Sequence, residues 1–172
     1  GAPVYFGDIN GLTKDFMDTV RISNANGKYG LGVSIAGGTG KGLCLAVQSI
    51  YSFFYHRQMR GIDPTPVSRF NFQKMSEALY VSGRKLAELS KEKKPFQDLW
   101  DRIEHYEKLD YMNYTFLDEI ILLADQLIER SKDNPALPKA KEEYEAAKSL
   151  VSRGRRTEAA RHAVKAYDLL YF

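Results

Sequence analysis

The sequence has little of the residue types that commit a chain to a specialised class. Its one cysteine, Cys44, excludes an internal disulfide framework. Because Leu43, Leu45 and Ala46 surround it, we expect this thiol to be a small buried apolar residue. With no disulfide pattern to read, cysteine usage leaves the redox compartment open.

The chain also has only a small excess of charge of one sign. The net charge is +3, from 25 basic and 22 acidic residues, and it is spread along the chain. A nucleic-acid-binding protein usually has a denser basic stripe, so we expect no nucleic-acid partner. The basic residues between Lys148 and Lys165 are spread around a helix axis by their spacing, which favours a solvated face.

No apolar run is long enough to cross a bilayer. The longest, from Leu43 to Tyr55, is about as long as a buried helix, and His56 and Arg57 end it. The chain also lacks an initial methionine. We interpret Gly1 as a remnant of tag cleavage and Ala2 as a processed start, which favours an exported or periplasmic protein. Excision from a longer protein is the other explanation.

Complete catalytic and metal-binding constellations are missing as well. His56, His105 and His162 have no metal-ligand spacing with one another or with Cys44, so we expect no metal and no cofactor. Ser34 lies in a stretch similar to a nucleophile elbow, but alanine stands at position 36, where that motif has glycine. We therefore expect a protein that is not an enzyme.

Helical periodicity dominates what is present. After Phe72 the apolar residues recur at helical spacing through several segments, which predicts a mainly α fold, a bundle of about five to six helices. Thr115 with Asp118 predicts a capping box at one helix start. We expect a single domain over residues 1–172, with an irregular, strand-containing part at 1–42 and the helical bundle at 43–172.

A short strand or hairpin is expected near residues 29–47. Leu31, Val33 and Ile35 alternate with small residues, which is the period of a half-buried strand. The segment after the following loop is apolar on nearly all sides, which is typical of a central, buried helix. A second strand at residues 43–47 is the alternative for the start of that segment.

The C-terminal residues predict a helical hairpin. Ala140, Tyr144, Ala147 and Leu150 face Ala159, Ala163, Ala166 and Leu170 across a turn at Gly154. The stretch from Gly154 to Leu170 resembles the second helix of a tetratricopeptide repeat, on Gly154, Glu158-Ala159, Ala163 and Lys165-Ala166. That resemblance covers about one repeat and implies a module that binds a partner protein or peptide.

One loop, Gly37-Gly38-Thr39-Gly40-Lys41-Gly42, lies between the expected strand and the expected helix. Glycines let backbone N–H groups converge on an anion, the helix N-terminus adds favourable partial charge, and Lys41 could add a full charge. The loop does not match a nucleotide-binding P-loop, because Ile35 and Gly42 replace its first glycine and its hydroxyl residue. A structural loop, whose glycines only permit positive φ, is the alternative.

Tyrosine is abundant, with 11 residues in the chain. Trp100, Tyr106, Tyr111 and Tyr114 lie close together in sequence and could form an interaction surface. The leading hypothesis is a helical interaction or scaffold domain that binds a protein or peptide. The alternatives are an anion- or phosphate-binding protein that uses residues 37–42, and a bundle that holds a small apolar ligand between its helices.

Overall fold

A computed structural model describes all residues, 1–172. The chain has four strands, β1 (Ala2–Tyr5), β2 (Asp8–Ile9), β3 (Tyr29–Ala36) and β4 (Arg60–Ser68). It has seven helices, α1 (Gly11–Thr19), α2 (Leu43–His56), α3 (Phe72–Leu89), α4 (Leu99–Glu107), α5 (Phe116–Arg130), α6 (Leu137–Ser152) and α7 (Arg156–Tyr171).

The prediction of a mainly α bundle of five to six helices is wrong, because the strands form one mixed sheet in an α/β arrangement. The strand order is β2-β1-β3-β4, with β1, β3 and β4 parallel and β2 antiparallel to β1. Strand β4 contains Pro64 and Pro66, which had indicated a loop. Because β4 is an edge strand, residues without a backbone N–H can be accommodated on its open side.

The chain divides into two compact units. Unit 1 comprises residues 1–37 and 42–113, and unit 2 comprises residues 38–41 and 114–172. The sheet and α1–α4 belong to unit 1, and α5–α7 belong to unit 2. The single-domain boundaries expected from the sequence stay a prediction.

Helix α2 packs directly on the sheet, so it is not the centre of a helical bundle as expected. The small residues of β3 are buried beneath it, whereas Leu31 and Val33 are half-buried and Ile35 is 49% exposed. The small residues of β3 thus form its buried face in place of its large apolar residues, and two glycines explain why. A Cβ on Gly32 would lie 2.2 Å from Tyr51 Cε2, and one on Gly61 would lie 2.5 Å from Tyr51 Cε1. The Tyr51 ring therefore occupies the space that side chains on both strands would need.

Tyr51 is also fixed by hydrogen bonds. Its hydroxyl accepts from the Gly32 N–H at 3.1 Å and donates to the Ile62 carbonyl. Burial raises the pKa of this phenol, so it is neutral at physiological pH. With Tyr106 and Phe54 in edge-to-face contact, Tyr51 forms the centre of the unit 1 core.

Unit 2 contains the expected helical hairpin, in which residues 153–155 join α6 to α7. The alanines that predicted it, Ala140 and Ala147 on α6 and Ala159, Ala163 and Ala166 on α7, are fully buried, which lets the helices approach closely. The capping box of Thr115 and Asp118 begins α5, as predicted. Arg156 of α7 donates to both residues, at 2.7 Å to Thr115 Oγ1 and 2.9 Å to Asp118 Oδ2.

A buried carboxylate holds the hairpin together. The Glu143 side chain on α6 is 6% exposed, accepts from His162 Nδ1 at 2.6 Å, and also pairs with the Lys165 ammonium. The hydrogen bonds from Lys165 and His162 lower the pKa of Glu143 to about 2. The folded state thus resists protonation of this group more than the unfolded state does.

We expect Glu143 to make the hairpin acid-sensitive. Its folded pKa lies below the unfolded value, so its stabilisation is complete above about pH 4.5 and is lost as the pH falls toward 2. Replacing Glu143 by glutamine should flatten the dependence of the unfolding free energy on pH between about 5 and 3, measured by urea denaturation. Glu142→Gln is the control, because the Glu142 side chain is 69% exposed. An equal flattening in both variants would contradict this role of Glu143.

Candidate functional site

The carboxyl ends of the parallel strands mark the place where a ligand is most expected. In open α/β sheets, ligands bind outside these ends, on the loops that lead into the next elements. Strands β1 and β3 run side by side, with Ala2 opposite Ser34 and Pro3 opposite Ile35, so both end at this edge. The loop at 37–42 follows β3, and a turn at Phe6-Gly7 follows β1.

The backbone of the loop at 37–42 alternates in the sign of φ. Gly38, Gly40 and Gly42 have φ of 48°, 78° and 92°, whereas the residues between and before them do not have positive φ. Alternation in the sign of φ is the pattern that turns successive N–H groups toward one side, as in anion-binding nests. A Cβ on Gly37 would meet nothing within 4 Å, so only the alternate glycines are required by the backbone.

The tip of this loop belongs to unit 2. The Thr39 carbonyl accepts a hydrogen bond from the Tyr167 hydroxyl at 2.8 Å. The Lys41 ammonium lies 5.3 Å from the centroid of the same ring, a cation–π contact. Lys41 thus already contacts an aromatic face in unit 2, and an anion would have to compete with that contact for its charge.

The last residue of the loop begins α2. Gly42 is the N-cap of this helix, and no side chain caps it by a hydrogen bond. The first turn of the helix contains no acidic residue. The aligned peptide dipoles give this end of α2 a positive partial charge. An anionic group placed beside it would therefore be stabilised without competition from a carboxylate of the helix itself.

A strained aromatic residue stands at the neighbouring turn. The two-residue connection between β1 and β2 has φ of 51° at Phe6 and 85° at Gly7, the signs of a type I′ hairpin turn. Asparagine or glycine normally occupies the first of these positions, and a bulky side chain there is disfavoured. Phe6 is nonetheless fully exposed, and the adjacent Tyr5 is 66% exposed. Strain of this kind is often found at ligand-binding positions.

The hairpin turn and the start of α2 are in backbone contact. A Cβ on Gly42 would lie 2.4 Å from Gly7 Cα, so a side chain at position 42 would collide with the hairpin. This contact places Phe6 next to the start of the helix. Sequence reasoning missed the hairpin, because Phe-Gly is not a residue pair that predicts a two-residue hairpin turn.

A cavity of about 590 Å³ lies elsewhere in unit 1, between α1 and α2. Its polar lining includes Asp8, Ser49 and His56. Asp8 Oδ1 accepts from the Ser49 hydroxyl and from the Ile9 N–H, both at 2.7 Å, which anchors β2 to α2. None of residues 37–42 lines this cavity.

The remaining sequence-derived candidates do not form one surface. Trp100 is 71% exposed on α4, whereas Tyr106 is buried and donates its hydroxyl hydrogen to the Met59 carbonyl at 2.7 Å. Tyr111 is half-buried with φ of 67°, and its carbonyl accepts from Gln48 Nε2 at 2.9 Å. Tyr114 is 39% exposed and belongs to unit 2. Only Trp100 therefore presents a largely exposed ring.

Ser34 has a structural role. It is fully buried, and its hydroxyl donates to the Leu43 carbonyl at 3.0 Å, which ties β3 to the start of α2. Cys44 is buried in the same region.

The structure was also searched for a metal cluster and for a membrane-spanning helix. No group of three or more His, Cys, Asp or Glu side chains is arranged to hold a metal ion. No helix has the length and apolar character that a membrane span requires. The carboxyl edge of the sheet is the candidate site, because the hairpin turn after β1 and the start of α2 are in contact there. Comparison with known proteins adds no family to this description, since no protein-family model, no curated protein and no solved structure matches the chain.

Proposed function

We propose that unit 1 binds an anionic small molecule that carries a planar ring, at the carboxyl edge of the parallel sheet. The contact between Gly7 and Gly42 is the observation that carries this proposal, because it brings the hairpin turn that bears the exposed Phe6 against the first residue of α2. The helix start suits a phosphate or carboxylate group. The Phe6 ring suits stacking against an aromatic ligand.

The energetics of the hairpin support a binding role for Phe6. A phenylalanine at positive φ costs stability that asparagine would not cost, and its exposed ring regains nothing by burial. A ligand that stacks on the ring would offset this cost. A purely structural turn would be better served by Asn-Gly.

Phe6→Asn therefore separates stability from binding. We expect the variant to be more stable than the original chain by up to about 1 kcal/mol, because Asn-Gly is the preferred type I′ pair. We expect it to bind ring-bearing anions about tenfold more weakly, since stacking on an aromatic side chain contributes about 1–3 kcal/mol. Urea denaturation measures the first effect and isothermal titration calorimetry the second. A variant that is more stable and binds equally well would remove Phe6 from the site.

The ligand class is tested with matched probes. Flavin mononucleotide and adenosine monophosphate are compared with their dephosphorylated counterparts, riboflavin and adenosine, and with inorganic phosphate alone. We expect a thermal shift with a phosphorylated ring compound that exceeds the shifts with either part alone. Absence of any phosphate-dependent shift in the full chain would refute the proposed function. The thermal shift is also measured in Lys41→Ala, because the sequence predicts that the charge of Lys41 pairs with the anion. A thermal shift equal to that of the original chain would exclude this role of Lys41.

The interaction-domain hypothesis stays a second candidate. Its support is the apolar surface on α4, where Leu99 is 54%, Trp100 is 71% and Ile103 is 38% exposed. Ile103 lies four residues after Leu99 and three after Trp100, which places it beside both on the helix surface, and such a surface fits an amphipathic helix of a partner protein. Selection from a displayed library of amphipathic peptides tests it. Selected peptides should lose binding to Trp100→Ser, and peptides that are indifferent to this change would exclude the surface.

A further inference from the structure

Helix α4 is attached to the rest of unit 1 by polar contacts and by one buried ring, that of Tyr106. Three of its apolar side chains, Leu99, Trp100 and Ile103, are exposed, and Tyr106 is its one buried residue. Its side chains contact three carbonyls at the end of α2 and the beginning of β4: Arg102 donates to Tyr55 at 3.2 Å, Tyr106 to Met59 at 2.7 Å and His105 to Gly61 at 2.8 Å. An element that buries so little apolar area is expected to open locally before the core does.

The contact at Gly61 determines which nitrogen of His105 carries hydrogen. A carbonyl oxygen can only accept, so Nε2 is the protonated nitrogen of the neutral ring. Nδ1 is then a lone pair, and it faces Arg60 Nη1 at 3.5 Å. A second proton on His105 would point an N–H group at a guanidinium that also carries only N–H groups.

Several contacts fix the side chain of Arg60 in its position beside His105. It is 6% exposed, its Nη2 donates to Asp101 Oδ2 at 2.9 Å, and its Nε donates to the Lys94 carbonyl at 2.8 Å. Its guanidinium carbon also lies 4.0 Å from the centroid of the Phe96 ring. The guanidinium is thus held in place beside His105.

The charged groups around His105 have opposite effects on its pKa. Asp101 on α4 and Asp63 on β4 favour the imidazolium, whereas Arg60 on β4 disfavours it. Burial is the largest cause and lowers the pKa of His105, and Arg60 adds to this effect, whereas the hydrogen bond to the Gly61 carbonyl raises the pKa. The net result is a pKa below the usual value of histidine. The proton is therefore bound more readily when the ring has left this site.

We propose that His105 and Arg60 form a pH-sensitive latch, which holds α4 on β4 while the imidazole is neutral and releases α4 when Nδ1 takes up a proton. Release breaks the polar contacts of α4 and withdraws one ring, that of Tyr106, because the exposed apolar side chains contribute little to its attachment. Tyr51 keeps its hydrogen bonds to β3 and β4 in the released state.

Trp100 on α4 is the only tryptophan of the chain, so tryptophan fluorescence reports the motion of this helix. We expect the time-resolved fluorescence anisotropy of Trp100 to gain a fast component as the pH falls from about 8 to 5, with a midpoint below the usual histidine pKa of 6.5. Far-UV circular dichroism should keep about nine-tenths of its signal, since α4 holds about a tenth of the helical residues. His105→Gln can still donate to Gly61 but does not titrate, so it should show no fast component.

A matched control guards against a general effect of acid. His56 is exposed on α2 and lies outside the latch, so His56→Gln should retain the transition of the original chain. The latch is refuted if the original chain shows no fast component down to about pH 5, or if His105→Gln shows the same one. A simultaneous loss of helix throughout the molecule would equally refute it, since the transition would then be unfolding.

Discussion

Replacing Gly32 by alanine is expected to destabilise unit 1 by about 4 kcal/mol. The added Cβ would lie 2.2 Å from Tyr51 Cε2, and the ring cannot move aside because Gly61 lies against its other edge. Overpacking of a core costs about 1–3 kcal/mol. Displacing the ring would also break the two hydrogen bonds of its hydroxyl, and a buried unpaired group costs about 1–3 kcal/mol more.

Urea denaturation at about pH 7 measures this effect, and Gly37→Ala is the matched control. Gly37 follows the same strand, lacks positive φ, and has open space where a side-chain carbon would be, so we expect a change within about 0.5 kcal/mol. Tyr51→Ala should reduce the cost of Gly32→Ala, because the cavity accepts the methyl group. Additive effects of the two substitutions would show that the ring is not what excludes a side chain at position 32.

Replacing Arg60 by methionine is expected to cost about 2 kcal/mol. The change leaves the Lys94 carbonyl without its donor, and an unpaired buried polar group costs about 1–3 kcal/mol. It also removes the ion pair with Asp101, but the Asp101 side chain is 32% exposed and keeps the N–H of Gln97, so the carboxylate adds little to the loss. Methionine keeps the apolar contact with Phe96, so the loss reports the polar contacts.

Lys85→Met is the control for Arg60→Met, because it removes an ion pair with Asp63, which lies on the same strand as Arg60. The side chains of Lys85 and Asp63 are 54% and 50% exposed. Such a pair is worth at most about 1 kcal/mol. Arg60→Lys should recover only a minor part of the stability, since an ammonium cannot reproduce the fixed fork of a guanidinium. Equal costs for Arg60→Met and Lys85→Met would contradict the anchoring role of Arg60. Unfolding free energies from urea titrations decide between these outcomes.

The helices were easier to predict than the sheet, for a physical reason. Helix α2 extends only one residue beyond its expected end, because a long apolar run between a glycine loop and a basic pair is locally determined. Strand β1 has four residues, and β4 contains two prolines, so neither has a local pattern that distinguishes it from a loop. Both depend on pairing with β3, which is a contact between distant segments that propensity does not report.

The candidate site was predicted in part. The glycines at 38, 40 and 42 pointed to a loop with positive φ, and the structure has it. The hairpin at Phe6 was not foreseen, because phenylalanine is an unfavourable residue for its turn and only the sheet reveals the nearby Gly42. Tyr106 was assigned to a surface on its aromatic character, yet its hydroxyl bond to Met59 allows it to be buried.

The packing of Tyr51 between Gly32 and Gly61 has a consequence for how this protein can change over time. The three positions are not independent, because the Tyr51 ring is the nearest group to the position that a Cβ would take at either glycine. A smaller residue at 51 would make room at both strands, and a larger residue at 32 or 61 would then be selected to fill the space. Among descendants of this chain, we expect positions 32, 51 and 61 to be inherited together or replaced together.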